Sequence, residues 1–175
     1  MMLWIASLLA TAIPLAASFP TYAIPKAFTK SFLVQASCSL PEGFEIHNFQ
    51  TWTPVEGNDE SLVVQFGYVD NSTGINTSCQ HNSTSKNVGK PDLAPRYACD
   101  DPLAQFIWQN EILTMIETAC PGATESLQYE ASGSVKPETQ CSATSCDYPS
   151  GDGTECLAVN TVIQGNFTSL QPSPP

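Results

Sequence analysis

Basic side chains are scarce in this chain of 175 residues, where six lysines and arginines stand against 17 aspartates and glutamates for a formal net charge of −11. A protein this acidic repels phosphate backbones and anionic lipid headgroups, which argues against nucleic acid and membrane surfaces as partners. Charged residues of both signs make up only 13% of the chain, about half the share that is usual in soluble domains. Ser, Thr, Asn and Gln supply the remaining polar surface, a composition that suits a secreted protein.

A hydrophobic run long enough to span a membrane is also missing, because spanning takes about 20 apolar residues. The longest run covers residues 3–17, and Pro14 interrupts it before the small residues at positions 16–18. A short apolar segment that ends in small residues is typical of a cleaved secretory signal. Residues 1–18 are therefore predicted to be a signal peptide, and the mature chain is expected to be secreted, extracellular and soluble.

The sequence contains neither a CxxC pair nor a G-x-S-x-G elbow, so it supports neither a structural zinc site nor a serine hydrolase of that kind. Glu45 and His47 lie two residues apart on one face of a predicted strand. Together with Arg96, the only arginine, they would supply the acid–base set of a small ribonuclease. An exposed polar strand face explains the same pair more simply, and we expect no catalytic residues.

Two further groups of residues have a functional and a structural interpretation. Asp147, Asp152 and Glu155 could hold a calcium ion, although a solvated turn is the simpler explanation. Trp52 and Trp108 could stack on a sugar or another ring, but large aromatic residues in a domain of this size more often belong to the core. We therefore predict no metal site and no cofactor.

Apolar and polar residues alternate along much of the chain, a pattern that predicts β-strands. The clearest strand covers residues 61–70, where four apolar side chains share one face, and others cover 44–49, 126–135 and 156–169. Residues 101–119 fit either one helix or two strands. Short strands separated by turns predict an all-β fold, a small antiparallel β-barrel or sandwich that is stapled by disulfides.

Other segments lack this alternation. Residues 71–95 are rich in Gly, Asn, Ser and Thr and are predicted to form a long loop, and residues 141–156 are predicted to form a cysteine-dense loop. Residues 19–37 are expected to be a mobile N-terminal arm. The β-barrel domain is then expected at 38–170, followed by a disordered tail at 171–175.

Cysteines and glycosylation sequons support an extracellular location. An oxidising compartment would turn the cysteines into a disulfide framework, and their odd number leaves at least one free or paired between chains. The seven cysteines are Cys38, Cys79, Cys99, Cys120, Cys141, Cys146 and Cys156. Sequons begin at Asn71, Asn76, Asn82 and Asn166. Three of the four fall inside the predicted long loop, which indicates a glycosylated surface.

The order of these segments resembles the Alternaria major-allergen-like family of fungal secreted proteins, over roughly Cys38–Leu170. The similarity is carried by Phe44–Phe49, Ser61–Tyr68, Thr77–Cys79, Arg96–Cys99, Phe106–Trp108, Ile112–Ile116 and the cysteine-bounded loop Cys146–Cys156. It implies a compact antiparallel β-barrel with two intrachain disulfides and no established cofactor. It also favours two strands over residues 101–119.

The resemblance further implies a function, since members of that family are described as allergens, elicitors of plant immunity and effectors. We expect a non-enzymatic effector or elicitor that acts by binding a host extracellular protein. Two alternatives remain open, a small ribonuclease-like hydrolase and a carrier of a small aromatic ligand.

We expect three disulfides, Cys79–Cys99, Cys146–Cys156 and Cys38–Cys120. The first would staple the long loop, because its cysteines lie at the ends of the two strand-like segments that flank that loop. Cys141 competes with Cys146 for Cys156, and otherwise it is free or intermolecular. Some members of the resembled family dimerise through an early cysteine, so a homodimer through Cys38 is an alternative to its intrachain bond.

Overall fold

A computed structural model describes residues 22–23, 38–57, 59–121, 128–145 and 152–173. The described residues contain no helix and fold into two antiparallel sheets that pack face to face. The strands are β1 Gly43–Pro54, β2 Val63–Asp70, β3 Ile75–His81, β4 Tyr97–Ala98, β5 Ala104–Gln109, β6 Ile112–Ala119, β7 Tyr129–Val135, β8 Thr139–Thr144, β9 Gly153–Ala158, β10 Val162–Asn166 and β11 Ser169–Pro172. The predicted all-β class is confirmed.

Sheet A has the strand order β3-β2-β1-β9-β8, with β10 also paired to β1, and sheet B has the order β11-β7-β6-β5-β4. The long strand β1 pairs with β10 through its first half and with β9 through its second half. A bulge separates the halves at Asn48, whose φ is 51° and whose N–H donates to the Thr161 carbonyl at 2.8 Å. The bulge lets inward-facing aromatic residues continue on both sides of it.

Aromatic side chains from both sheets form the centre of the core. Phe66 of sheet A meets Phe106 of sheet B edge to face at 5.0 Å between ring centroids, and Phe44 packs against Phe167 at 5.1 Å. Such ring pairs stabilise beyond the area that they bury. Trp108 also packs on the core, against Phe49, in agreement with its structural interpretation.

The sheets do not close into a barrel, so the barrel alternative is wrong and the sandwich is confirmed. At one side, β3 and β4 approach each other, and Asp100 N–H donates to the Ser78 carbonyl. Because β4 has only two residues, no continuous ladder forms there. The Cys79–Cys99 disulfide, which was predicted, joins the two edges instead.

Residues 101–119 form two strands, as the resemblance implied. Strands β5 and β6 are joined by Asn110 and Glu111, which both have positive φ, 53° and 60°. Two consecutive residues of this conformation make the tight hairpin turn that matches the twist of the paired strands. The helix alternative is wrong because the hairpin buries alternate side chains rather than a helical stripe.

The structure corrects the predicted bounds of two loops, of the last strand and of the tail. The long loop at 71–95 contains β3, and the cysteine-dense loop at 141–156 contains most of β8 and the start of β9. Strands β3 and β8 were missed because they lie at the edges of sheet A and carry polar side chains on their exposed faces. The single last strand predicted at 156–169 divides into parts of β9, β10 and β11, and the first two residues of the predicted tail at 171–175 belong to β11.

The N-terminal arm is anchored where the structure describes it. Tyr22 is buried in the core, and its hydroxyl donates to the Pro41 carbonyl at 2.5 Å. Within the predicted arm at 19–37, Tyr22 is thus in contact with the core. The rest of the arm and the predicted signal peptide at 1–18 lie outside the described residues.

Three disulfides link the described residues, Cys38–Cys120, Cys79–Cys99 and Cys141–Cys156. The preferred pairing of Cys156 with Cys146 is wrong. Cys141 and Cys156 stand directly opposite each other in the β8–β9 register, which brings them within bonding distance. Cys141 is thus neither free nor intermolecular, Cys38 is bonded within the chain, and Cys146 lies outside the described residues.

Candidate functional site

The loop at residues 82–96 is folded against the outer face of sheet B. Asn87 organises it, because its side-chain carbonyl accepts hydrogen bonds from the N–H groups of Gly89 at 2.8 Å and Arg96 at 3.0 Å. Arg96 in turn donates to Glu130 of β7 at 2.8 Å, and both side chains are largely buried. The ion pair and the Asn87 contacts hold the loop in one conformation against the sheet.

This loop displays apolar and basic side chains together. Val88 and Leu93 are 51% and 52% exposed, and three of the six basic residues of the chain, Lys86, Lys90 and Arg96, lie in the loop. A cavity of about 350 Å³ lies between the loop and the sheet, lined by Val88, Lys90, Leu93, Arg96, Gln105 and Glu130. Exposed aliphatic groups beside basic ones on an acidic protein are a candidate contact surface.

Glu45 and His47 do meet on the outer face of sheet A, as their spacing predicted. His47 Nε2 lies 2.9 Å from Glu45 Oε2, and the Gln164 amide donates to Glu45 Oε1 at 3.0 Å. These bonds, from Gln164 first and then from His47, lower the pKa of Glu45, so this carboxylate is a poor proton donor. Arg96, the third member of the hypothetical acid–base set, is bonded to Glu130 instead.

A cleft of about 490 Å³ opens between the two sheets near the β8–β9 hairpin. Its apolar lining includes Leu62, Trp108 and the Cys141–Cys156 disulfide. The Lys136–Glu111 ion pair, 2.9 Å between charged atoms, lies at the same cleft. The volume is in the range of small-molecule pockets, which are mostly apolar with a few polar groups. Trp52 is not part of its lining, because it is buried and donates to the Thr144 hydroxyl at 3.0 Å.

Sequence reasoning missed a buried acidic group at one end of the sandwich. Glu117 of β6 is 1% exposed, and it accepts a hydrogen bond from the Tyr68 hydroxyl of the facing sheet. Burial raises its pKa from 4.5 to about 7, and the nearby charges of Asp70 and Asp101 act in the same direction. Burial also raises the pKa of Asp70, against hydrogen bonds from Ser72 and Thr73 that lower it. The signal was available in the sequence, since both acids occupy inward positions of alternating strands.

The candidate metal ligands and the sequon asparagines do not form a binding site among the described residues. No group of three metal-binding side chains occurs in the parts of the chain that the structure describes, and Asp147 lies outside them. Asn71, Asn76 and Asn166 are exposed, as glycosylation requires. Asn82 is half-buried, with its side-chain oxygen accepting from Thr84.

Comparison with models of known protein families and with curated proteins finds no match for this chain. The described part of the chain has no helix with the length and hydrophobicity needed to cross a membrane. Three disulfides are typical of secreted or extracellular proteins.

Proposed function

We propose that this is a secreted, non-enzymatic effector-like protein that binds a host extracellular protein through the loop at 82–96. The disulfides support an extracellular site of action, and the resemblance to fungal allergen-like proteins supports the host context. The observation that carries the proposal is the loop held by Asn87 and by the Arg96–Glu130 ion pair, with Val88 and Leu93 exposed beside Lys90. A loop that is already ordered loses little entropy when it binds.

The chemistry of the loop indicates what kind of protein surface it fits. The aliphatic pair supplies apolar area that a partner can bury, as the centre of an interface requires. Lys86 and Lys90 lie on the same loop and would attract an acidic patch on the partner, although the protein as a whole is acidic. The expected partner therefore carries an apolar patch next to acidic residues.

Substituting Leu93→Asp together with Val88→Asp should reduce capture of the partner at least about tenfold, because two carboxylates would replace the apolar contact and repel the acidic patch that is expected on the partner. The measurement is affinity capture from host extracellular fluid, with the proteins retained by the wild type quantified for each variant. Val55→Asp is the matched control, since Val55 is 48% exposed but lies outside the loop. Equal capture by the loop variant and the wild type would contradict the proposal.

The cleft between the sheets favours a second candidate function, the carriage of a small aromatic molecule. Trp108 and Leu62 line this cleft and offer apolar contacts to a planar ring. Native mass spectrometry of the protein from its natural source should then show a retained molecule, and Trp108→Ala should lose it. A wild-type mass that corresponds to the polypeptide and its glycans alone would exclude this candidate.

A hydrolase is less well supported. The acid–base set would need Arg96 beside Glu45 and His47, and that guanidinium is bonded to Glu130 of sheet B.

A further inference from the structure

A row of amide side chains crosses the outer face of sheet A. The strand register places outward-facing residues of five adjacent strands side by side. In order across the sheet they are Gln80, Gln65, Gln50, Leu157 and Gln140. Four of the five are glutamines, and we call this set the amide row.

The amide row is open to solvent and partly organised. Gln80, Gln65, Gln140 and Leu157 are exposed, and Gln50 is half-buried. The Gln50 amide donates to the Gln65 side-chain carbonyl at 3.0 Å. That bond fixes the orientation of two neighbouring amides and leaves each with further donor and acceptor positions.

The same face carries further polar and aliphatic side chains beside the amide row, where β10 pairs with the first half of β1. Val162 stands opposite His47 in the β1–β10 register, and Gln164 stands opposite Glu45. Leu157 in the row and Val162 beside it are 46% and 38% exposed. Sheet A therefore presents planar hydrogen-bonding groups around two exposed aliphatic side chains.

We propose that this face of sheet A binds an extended, uncharged polysaccharide. Sugar hydroxyls both donate and accept hydrogen bonds, and a glutamine amide offers both functions without a charge. Neighbouring strands lie about 4.8 Å apart, a spacing comparable with the length of one sugar in an extended β-linked chain, so successive sugars can meet successive amides. Leu157 and Val162 would contact the apolar C–H face of a ring.

Charge supports this occupant over other polymers. The net charge of −11 repels acidic polysaccharides and nucleic acids, and the row itself carries no charge that would attract a basic partner. The sequon residues Asn76 and Asn166 are also on this sheet. The register places Asn76 level with Glu45 and Asn166 level with Gly43, and His47 lies between these positions and the amide row. Glycans attached at Asn76 and Asn166 start at the opposite end of the face from the amides, and the sequon at Asn82 lies after the end of β3, two residues beyond Gln80.

The test is depletion of the full secreted chain from solution by insoluble polysaccharides. Chitin, cellulose and β-1,3-glucan provide neutral chains from fungal and plant walls and distinguish the two sources, and polygalacturonate provides the anionic comparison. We expect at least one neutral polymer to deplete the protein and polygalacturonate to leave it in solution. Gln50→Ala with Gln65→Ala should weaken the binding at least about tenfold, because the variant loses the hydrogen bonds of two adjacent amides to the polymer.

The matched control is Gln109→Ala with Gln171→Ala, which removes two exposed amides from sheet B. This control should bind as the wild type does, and the melting temperatures of both variants should stay close to that of the wild type, because three of the four side chains are exposed and Gln50 is half-buried. No depletion by any neutral polymer, equal binding by the Gln50/Gln65 variant, or binding to polygalacturonate alone would overturn the proposal. The loop variant with Leu93→Asp should still bind polysaccharide, so this inference and the proposed function can fail separately.

Discussion

Replacing Glu117 by glutamine should stabilise the protein by about 3 kcal/mol at pH 8 and change its stability little at pH 4. Glu117 has a pKa of about 7 in the folded protein, raised from 4.5 mainly by burial. Below pH 4.5 the carboxyl is neutral in both the folded and the unfolded chain. As the pH rises from 4.5 to 7 only the unfolded chain loses the proton, so stability falls until both forms are ionised.

The contacts of Glu117 explain why glutamine should fit. The side chains of Glu117 and Thr73 line one cavity of about 300 Å³, and the Thr73 hydroxyl lowers the pKa of Glu117, although burial outweighs this effect. A protonated carboxyl or a glutamine amide can donate to Thr73, and its other oxygen still accepts from Tyr68. The ionised carboxylate can still accept hydrogen bonds from Tyr68 and Thr73, but it stays buried away from water and near the charge of Asp70.

The measurement is the free energy of unfolding by denaturant at pH values from 4 to 8. Two other groups also make stability depend on pH. Asp70, whose pKa is raised, makes the protein less stable as the pH rises, and His81, whose pKa burial lowers, makes it more stable. The difference between variant and wild type is therefore the quantity to compare. Glu111→Gln, at an exposed acid, should show no such difference in the pH 4.5–7 window. Parallel curves for Glu117→Gln and the wild type would contradict the prediction.

Replacing Gly133 by alanine should destabilise the protein by about 3 kcal/mol or more, a cost at the upper end for overpacked cores. A Cβ at Gly133 would lie 2.2 Å from the Asn166 carbonyl oxygen and 3.0 Å from the Phe167 Cα. These are backbone atoms at the corner where the chain leaves β10 for β11, and they cannot rotate away as a side chain can. Removing this overlap would require the backbone of Asn166 and Phe167 to move away from β7.

Gly67→Ala is the matched control for this substitution. Gly67 also lies within a strand, but its nearest neighbour is the His47 Cβ at 3.3 Å, which needs only a small shift. Thermal and denaturant unfolding should show a large loss for Gly133→Ala and a change within about 1 kcal/mol for Gly67→Ala. Equal stabilities for the two variants would contradict the prediction, because they would show that the backbone at Asn166 and Phe167 shifts at little cost.

Strand existence was predictable wherever one face of a strand is buried and the other is not. The segment that became β2 alternates Val64, Phe66 and Tyr68 with exposed or half-buried neighbours, so a local pattern was sufficient. Edge strands such as β8 were not predictable in this way. Burial drives the alternation, and β8 is exposed on most of its residues.

The candidate sites were less predictable, since each depends on strands that are distant in the sequence. Glu45 and His47 were expected to meet because they are two apart on one strand, and they do. Nothing local to Gln50 indicates that it stands between Gln65 and Leu157. Nothing local to Arg96 indicates that it bonds with Glu130.

The sequence by itself determined the all-β class, because period-two alternation is a local property of the chain, and it predicted the Cys79–Cys99 pairing from the strand-like segments that end at both cysteines. Only the tertiary structure decided that Cys156 pairs with Cys141, that the sheets stay open as a sandwich, and that Glu117 is buried opposite Tyr68. Each of these depends on the register between strands. Register follows from the packing of the whole core, which no single segment of the sequence contains.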